Sequence, residues 1–165
     1  MRLLFLTFSL LFFAYLSLPN PEFPTPPPDA LQSDEPADTE TSLRRAYFTN
    51  LTREEVMSHY KNQLTPAFRL NYPPEEARTI IRDQTRSTFL EEIVHPLRES
   101  VFINGFEPKD PKDAIEIAGR SWRQKIIVRY VPSRLWLRLV LGLSTIFAMV
   151  VVFKEYLGFF RKARI

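Results

Sequence analysis

Arg123, Lys125 and Arg129 are the residues of this 165-residue chain whose types and spacing point most directly to chemistry. From Trp122 to Tyr130 apolar and polar side chains alternate with the period of a half-buried strand. Trp122, Gln124, Ile126, Val128 and Tyr130 would turn to one side, while Arg123, Lys125 and Arg129 would share the other with Ile127. Three like charges on one strand face could clamp an anionic group such as a phosphate, a lipid head group or an acidic partner. The plainer expectation from the same alternation is the solvated back of a strand in an antiparallel sheet.

The other candidates for chemistry carry less. His59 and His95 are far apart in the chain with no carboxylate pattern between them, whereas a zinc site needs three or four protein ligands. Glu54-Glu55 and Glu75-Glu76 stand where helices should open, beside the positive end of the dipole, and Glu91-Glu92 has no base or metal ligand spaced to join it. The absence of cysteine excludes disulfides, thiolate catalysis, a lipoprotein-type anchor and cysteine zinc sites. Four glycines do not accommodate a P-loop, a dinucleotide fingerprint or a nucleophile elbow. No catalytic, cofactor or metal-binding residue is therefore assigned. Asn50-Leu51-Thr52 matches a glycosylation sequon, but Thr52 is better accounted for as a helix cap.

Two apolar segments must hold whatever this strand does at a membrane. Residues 135–153 contain one charge, Arg138, and give roughly 28 Å of helix against the ~30 Å of a bilayer core. A membrane helix is predicted over 134–153 and a basic tail over 154–165. Arg134, Trp136 and Arg138 at one end, and Lys154, Tyr156, Arg161, Lys162 and Arg164 at the other, are expected at the two interfaces. Residues 1–18 open with Arg2 and an apolar run. Pro19 and Pro21 follow at once and no small-x-small pair precedes them, which favours an uncleaved signal anchor over a cleaved signal. Its helix would reach only ~24 Å and would need local thinning or partner helices to cross.

Charge is segregated between these anchors. Residues 19–42 hold seven of the fourteen prolines and six carboxylates without a basic residue, which predicts an extended, partly polyproline linker. The net charge of +3 and the high pI come largely from the membrane-proximal tail, so a nucleic-acid partner is not expected and anionic lipid is. Basic residues on the domain side of the second helix would draw the domain to the cytoplasm, but Arg2 before the first helix and the acidic linker after it argue the reverse. The first helix sets the expectation: both termini cytoplasmic, residues 43–133 extracytoplasmic.

Residues 43–133 read as one small α+β domain. A strand over 43–49 leads into Thr52-Arg53-Glu54-Glu55, a capping box that should start a helix burying Val56, Met57, Tyr60 and Leu64. A short strand over 67–72 precedes Pro73-Pro74-Glu75-Glu76, a second helix start. Ala77, Ile80, Ile81 and Gln84 share one side of that helix; Phe89, Leu90, Ile93, Val94 and Leu97 would point about 180° away, so a bend is expected over 85–88 and a stop at Pro96. A strand over 101–106 and a hairpin over 114–131 turning near Gly119 complete the domain.

This layout, with its segments YFTNLTREEVMSHY and HPLRESVFINGFEP, resembles bacterial membrane-anchored proteins that display an extracytoplasmic α+β domain, a resemblance that implies no active site. Tyr72-Pro73-Pro74-Glu75-Glu76-Ala77-Arg78 is similar to the domain start of TonB-type energy transducers, from which the chain departs in lacking glycine-spaced strands and in its second span. The expected molecule is a cell-membrane protein with two spans and a small antiparallel sheet carrying two or three helices, a ferredoxin-like topology being one candidate. It would act as a non-enzymatic binding or assembly module for a protein partner in the membrane or envelope. The alternative is a membrane-tethered enzyme or sensor acting on an anionic lipid or envelope substrate.

Overall fold

The computed structural model describes residues 2–80 and 87–162 and divides into two units, Pro21–Pro132 and the paired ends Met1–Asn20 with Ser133–Ile165. In the first unit a six-stranded antiparallel sheet has the order β1(Leu31–Gln32), β2(Arg44–Thr49), β8(Gln124–Val131), β5(Ser100–Phe106), β4(Phe89–Val94), β3(Phe68–Asn71). A separate hairpin joins β6(Ile115–Ile117) to β7(Arg120–Trp122). Its two-residue turn, Ala118 and Gly119, has φ of 53° and 73°, the positive pair that tight hairpins require.

Helix α2(Arg53–Gln63) starts at the expected capping box: the Thr52 side chain accepts from the Glu55 N–H and the Glu55 carboxylate reaches back to the Thr52 N–H. Its 11 residues, about 16 Å long, cross one face of the sheet. On this inner face Val56, Met57, Tyr60 and Leu64 meet Tyr47, Phe89, Ile93, Val101, Ile103, Ile126, Val128 and Tyr130, all buried. Helix α3(Pro74–Ile80) packs on the outer face, where Ala77 meets Leu90 beside Tyr72 and Phe102.

Three expectations change. The order is not ferredoxin-like, because α2 joins β2 to β3 across three intervening strands and the two helices lie on opposite faces. Phe89, Leu90, Ile93 and Val94 form β4 and not a helical turn; the apparent 180° jump of the stripe was a change of period from 3.6 to 2. Ile81, Gln84 and the start of the expected bend lie outside the described residues. The acidic proline-rich segment is packed and not extended: Phe23 lies edge-on to Tyr130, Asp29 accepts from Thr49 Oγ1 at 2.6 Å, Leu31 and Gln32 pair with β2, and Asp38 is buried.

The second unit consists of α1(Arg2–Ser17) and α4(Leu135–Lys162), packed antiparallel. Gly142 permits the approach, since a Cβ there would stand 2.5 Å from Leu16 Cδ1, and Leu16 is wholly buried. Among the described residues one stretch, Leu135–Phe159, is long and apolar enough to cross a membrane by length and composition; α1 is shorter.

Candidate functional site

The run from Trp122 to Tyr130, which spans the end of β7 and most of β8, has the alternation expected of it: Trp122, Gln124, Ile126, Val128 and Tyr130 are buried, and the others are half-buried or exposed. The three cations nevertheless do not form one clamp. Arg123 falls between β7 and β8, where its Nε donates to Glu107 at 2.8 Å and its backbone N–H to Asn50. Lys125 is held between Glu35 and Asp38, its Nζ 2.8 and 2.7 Å from their oxygens. Burial pulls the Lys125 ammonium down, but the hydrogen bonds and charges of Asp38 and Glu35 outweigh it and leave it raised above its ordinary value. Arg129 is exposed and, among the described residues, pairs with no carboxylate. Its Cα partner on β2 is Arg44, a like charge directly opposite on the same face, a placement that costs stability unless an anion lies between. Among the described residues Arg44 pairs with Glu40 alone, at 3.8 Å, and its buried Nε has no hydrogen-bond partner.

The densest charge cluster lies at the other side of the sheet. Glu91 points to the inner face and is completely buried; Arg53 Nε is 2.5 Å from one of its oxygens and Arg69 Nε donates to the other. Arg69 also grips Glu54, whose carboxyl that hydrogen bond holds below its ordinary value. Glu92 points to the outer face and accepts from Tyr72 Oη. The two members of this acid pair therefore serve opposite faces, and both Glu91 oxygens are occupied by guanidinium groups. Beside them Arg53, Asn71, Tyr72, Arg78 and Thr88 line a cleft of about 380 Å³, but Arg53 is already committed to Glu91 and Asn71.

The histidines are not brought into a common site. His59 Nε2 contacts the Thr25 carbonyl at 3.0 Å and Gln63 at 2.8 Å, whereas His95 is buried with Nδ1 2.5 Å from Glu99. Arg98 completes that second cluster at 3.2 Å from the same Glu99 oxygen. Among the described residues no group of three metal-ligating side chains gathers. Arg98, His95 and Glu99 close the β4–β5 turn, with Leu97 at its tip at φ 59° and half exposed.

Of the residues expected at membrane interfaces, Arg134, Trp136, Lys154 and Tyr156 are exposed. Arg161 and Lys162 fall in the last turn of α4, and Arg164 lies outside the described residues. Arg138 departs from the expectation: it is buried, its guanidinium donating to the Leu18 carbonyl at 2.8 Å and to Asn20 Oδ1 at 3.0 Å. The signal for this was present, since a lone arginine in an apolar run needs acceptors, and the carbonyls ending α1 supply them. Arg44 and Leu97 carried no such signal, because their significance depends on which residues the fold places opposite or beside them.

No family model, no curated protein and no solved structure matches this chain.

Proposed function

We infer that the chain is a membrane-anchored binding or assembly module whose two apolar helices cross the bilayer together as a hairpin, with the α+β domain extracytoplasmic and both termini cytoplasmic. The observation that carries this reading is the buried Arg138, which ties the end of α1 to the start of α4. The Gly142 contact with Leu16 supports it, because a signal removed by cleavage would leave that face of α4 uncovered. Since α1 offers only ~24 Å of helix, pairing with the longer α4 is how it would cross a ~30 Å core with local thinning. The domain's partner is a protein of the membrane or envelope, engaged without catalysis; the internal pairing of Glu91, Lys125 and Glu99 supports binding over chemistry.

The absence of cysteine makes the topology directly testable. Single cysteines placed at Lys112 and at Lys154 should react with an impermeant maleimide from opposite sides of native membranes, and mature protein should retain its amino-terminal segment. Labelling of both from one side, or loss of residues 1–18, would overturn the hairpin. Affinity purification of the full chain in mild detergent should recover a stoichiometric protein partner; recovery of the protein alone would remove the assembly reading.

A further inference from the structure

Both points at which the chain leaves the α+β unit lie at one end of its sheet. Tyr130, next to the last residue of β8, donates from Oη to the Pro21 carbonyl at 2.9 Å, so the incoming chain meets the outgoing strand there. From Val131, four steps along the chain reach Leu135, at most about 14 Å. The register places two more features at this end: Val131 pairs with Ser100, Ser100 with Val94 and Val94 with Phe68, in one row across the outer face. In that row Phe68 is 64% exposed and Val131 38%; Leu70 in the next row is 43% exposed, and Leu97 at the β4–β5 tip 46%. Leu97 is held in the left-handed region, where glycine or asparagine is the ordinary choice, by the His95–Glu99 clasp. The leucine is thus kept outward at a backbone cost that burial within the unit does not repay. Arg129, which pairs with no carboxylate among the described residues, and Arg44 opposite it share the row of Leu70.

We propose that this end of the sheet docks on the bilayer surface, with Leu97, Phe68, Leu70 and Val131 entering the interfacial region and Arg129 with Arg44 receiving an anionic lipid head group. Apolar side chains at the tip and edge, cations one row behind them, and two tethers at the same end match the layered polarity of a membrane surface. An acidic protein would satisfy the arginines but would not account for exposed apolar residues at the point where the chain turns to the membrane. The docking rests on the hairpin reading and restricts the three-cation strand to one contributor, since Arg123 and Lys125 are already paired.

The test uses the full chain reconstituted in vesicles of phosphatidylcholine, with or without phosphatidylglycerol. An environment-sensitive probe is attached at Leu97→Cys or, as a control in the turn that follows β5, at Lys112→Cys. Head-group nitroxide lipids should quench the probe at 97 by about twofold more than the probe at 112, and more strongly with phosphatidylglycerol than without. Arg129→Gln in the Leu97→Cys background should remove that lipid dependence, as should high salt. Equal quenching at both positions in carbonate-resistant vesicles overturns the docking while leaving the hairpin intact. Extraction of the protein by carbonate overturns the hairpin, and the docking with it. Cross-linking of position 97 to a protein in native membranes overturns the lipid assignment.

Discussion

Glu91 is the residue on which the domain's edge most depends. A fully buried carboxylate between two guanidinium groups is costly to form and more costly to break, because neutralising it leaves two partly buried cations without their shared counter-charge, Arg69 keeping Glu54 and Arg53 keeping the neutral Asn71. Glu91→Gln should lower stability by about 2–3 kcal/mol, read as a drop in the thermal midpoint of the full chain in detergent. Glu54→Gln, at the exposed end of the same network, should barely move it. Tyr72 gives a separate, pH-dependent reading. Burial, and then its bond to Glu92, pushes its hydroxyl from 10.0 up to about 12. The proton is therefore held more tightly in the folded state, so the contribution is complete below pH 10.0 and disappears as pH rises to about 12. Tyr72→Phe should be less stable than the parent at pH 9, with the gap closing across that window in melts taken at stepped pH. The sequence revealed the charges of both networks but not their pairing, since the register of β3 with β4 brings Arg69 to Glu91, and the packing of α2 on the inner face brings Arg53.

At the scale of elements, local chemistry and long-range pairing divide what could be read. The capping box at Thr52, the alternation of β8 and the turn at Gly119 were legible because each is written within a few residues. The β4 strand was not, because Phe89-Leu90 and Ile93-Val94 suit a helix until a neighbour on each side supplies the ladder. Likewise the proline-rich composition of residues 19–42 describes a chain unable to make its own core, and says nothing of an existing sheet edge on which it can lie. The β4–β5 pair also depends on a small residue: a Cβ at Gly105 would collide with the Phe89 ring across the ladder. Gly105→Ala should cost about 1–3 kcal/mol by forcing Phe89 out of its rotamer. Chemical unfolding followed by circular dichroism would measure it.

For the whole molecule, the packing of α1 on α4 is the feature to perturb. Gly142→Leu would insert a branched side chain where Leu16, Phe13 and Phe12 already stand, so the helices must part. A cysteine pair at positions 16 and 142 should form a disulfide under mild oxidation, and a pair one turn further along, at 12 and 146, should lose its cross-link when Gly142→Leu is added. The same unit holds the bond from Asn20 Nδ2 to the Ser133 carbonyl at 2.9 Å, which fastens the two ends of the intervening domain to each other. If α1 stays paired with α4 when the domain unfolds, the closure of its largest loop is already made, and refolding should start from a restricted ring and not from two loose arms. On the hairpin reading, a single proteolytic nick anywhere between Asn20 and Ser133 should free no fragment, because each piece keeps one helix of the α1–α4 pair and the cut domain can reassemble where it stood.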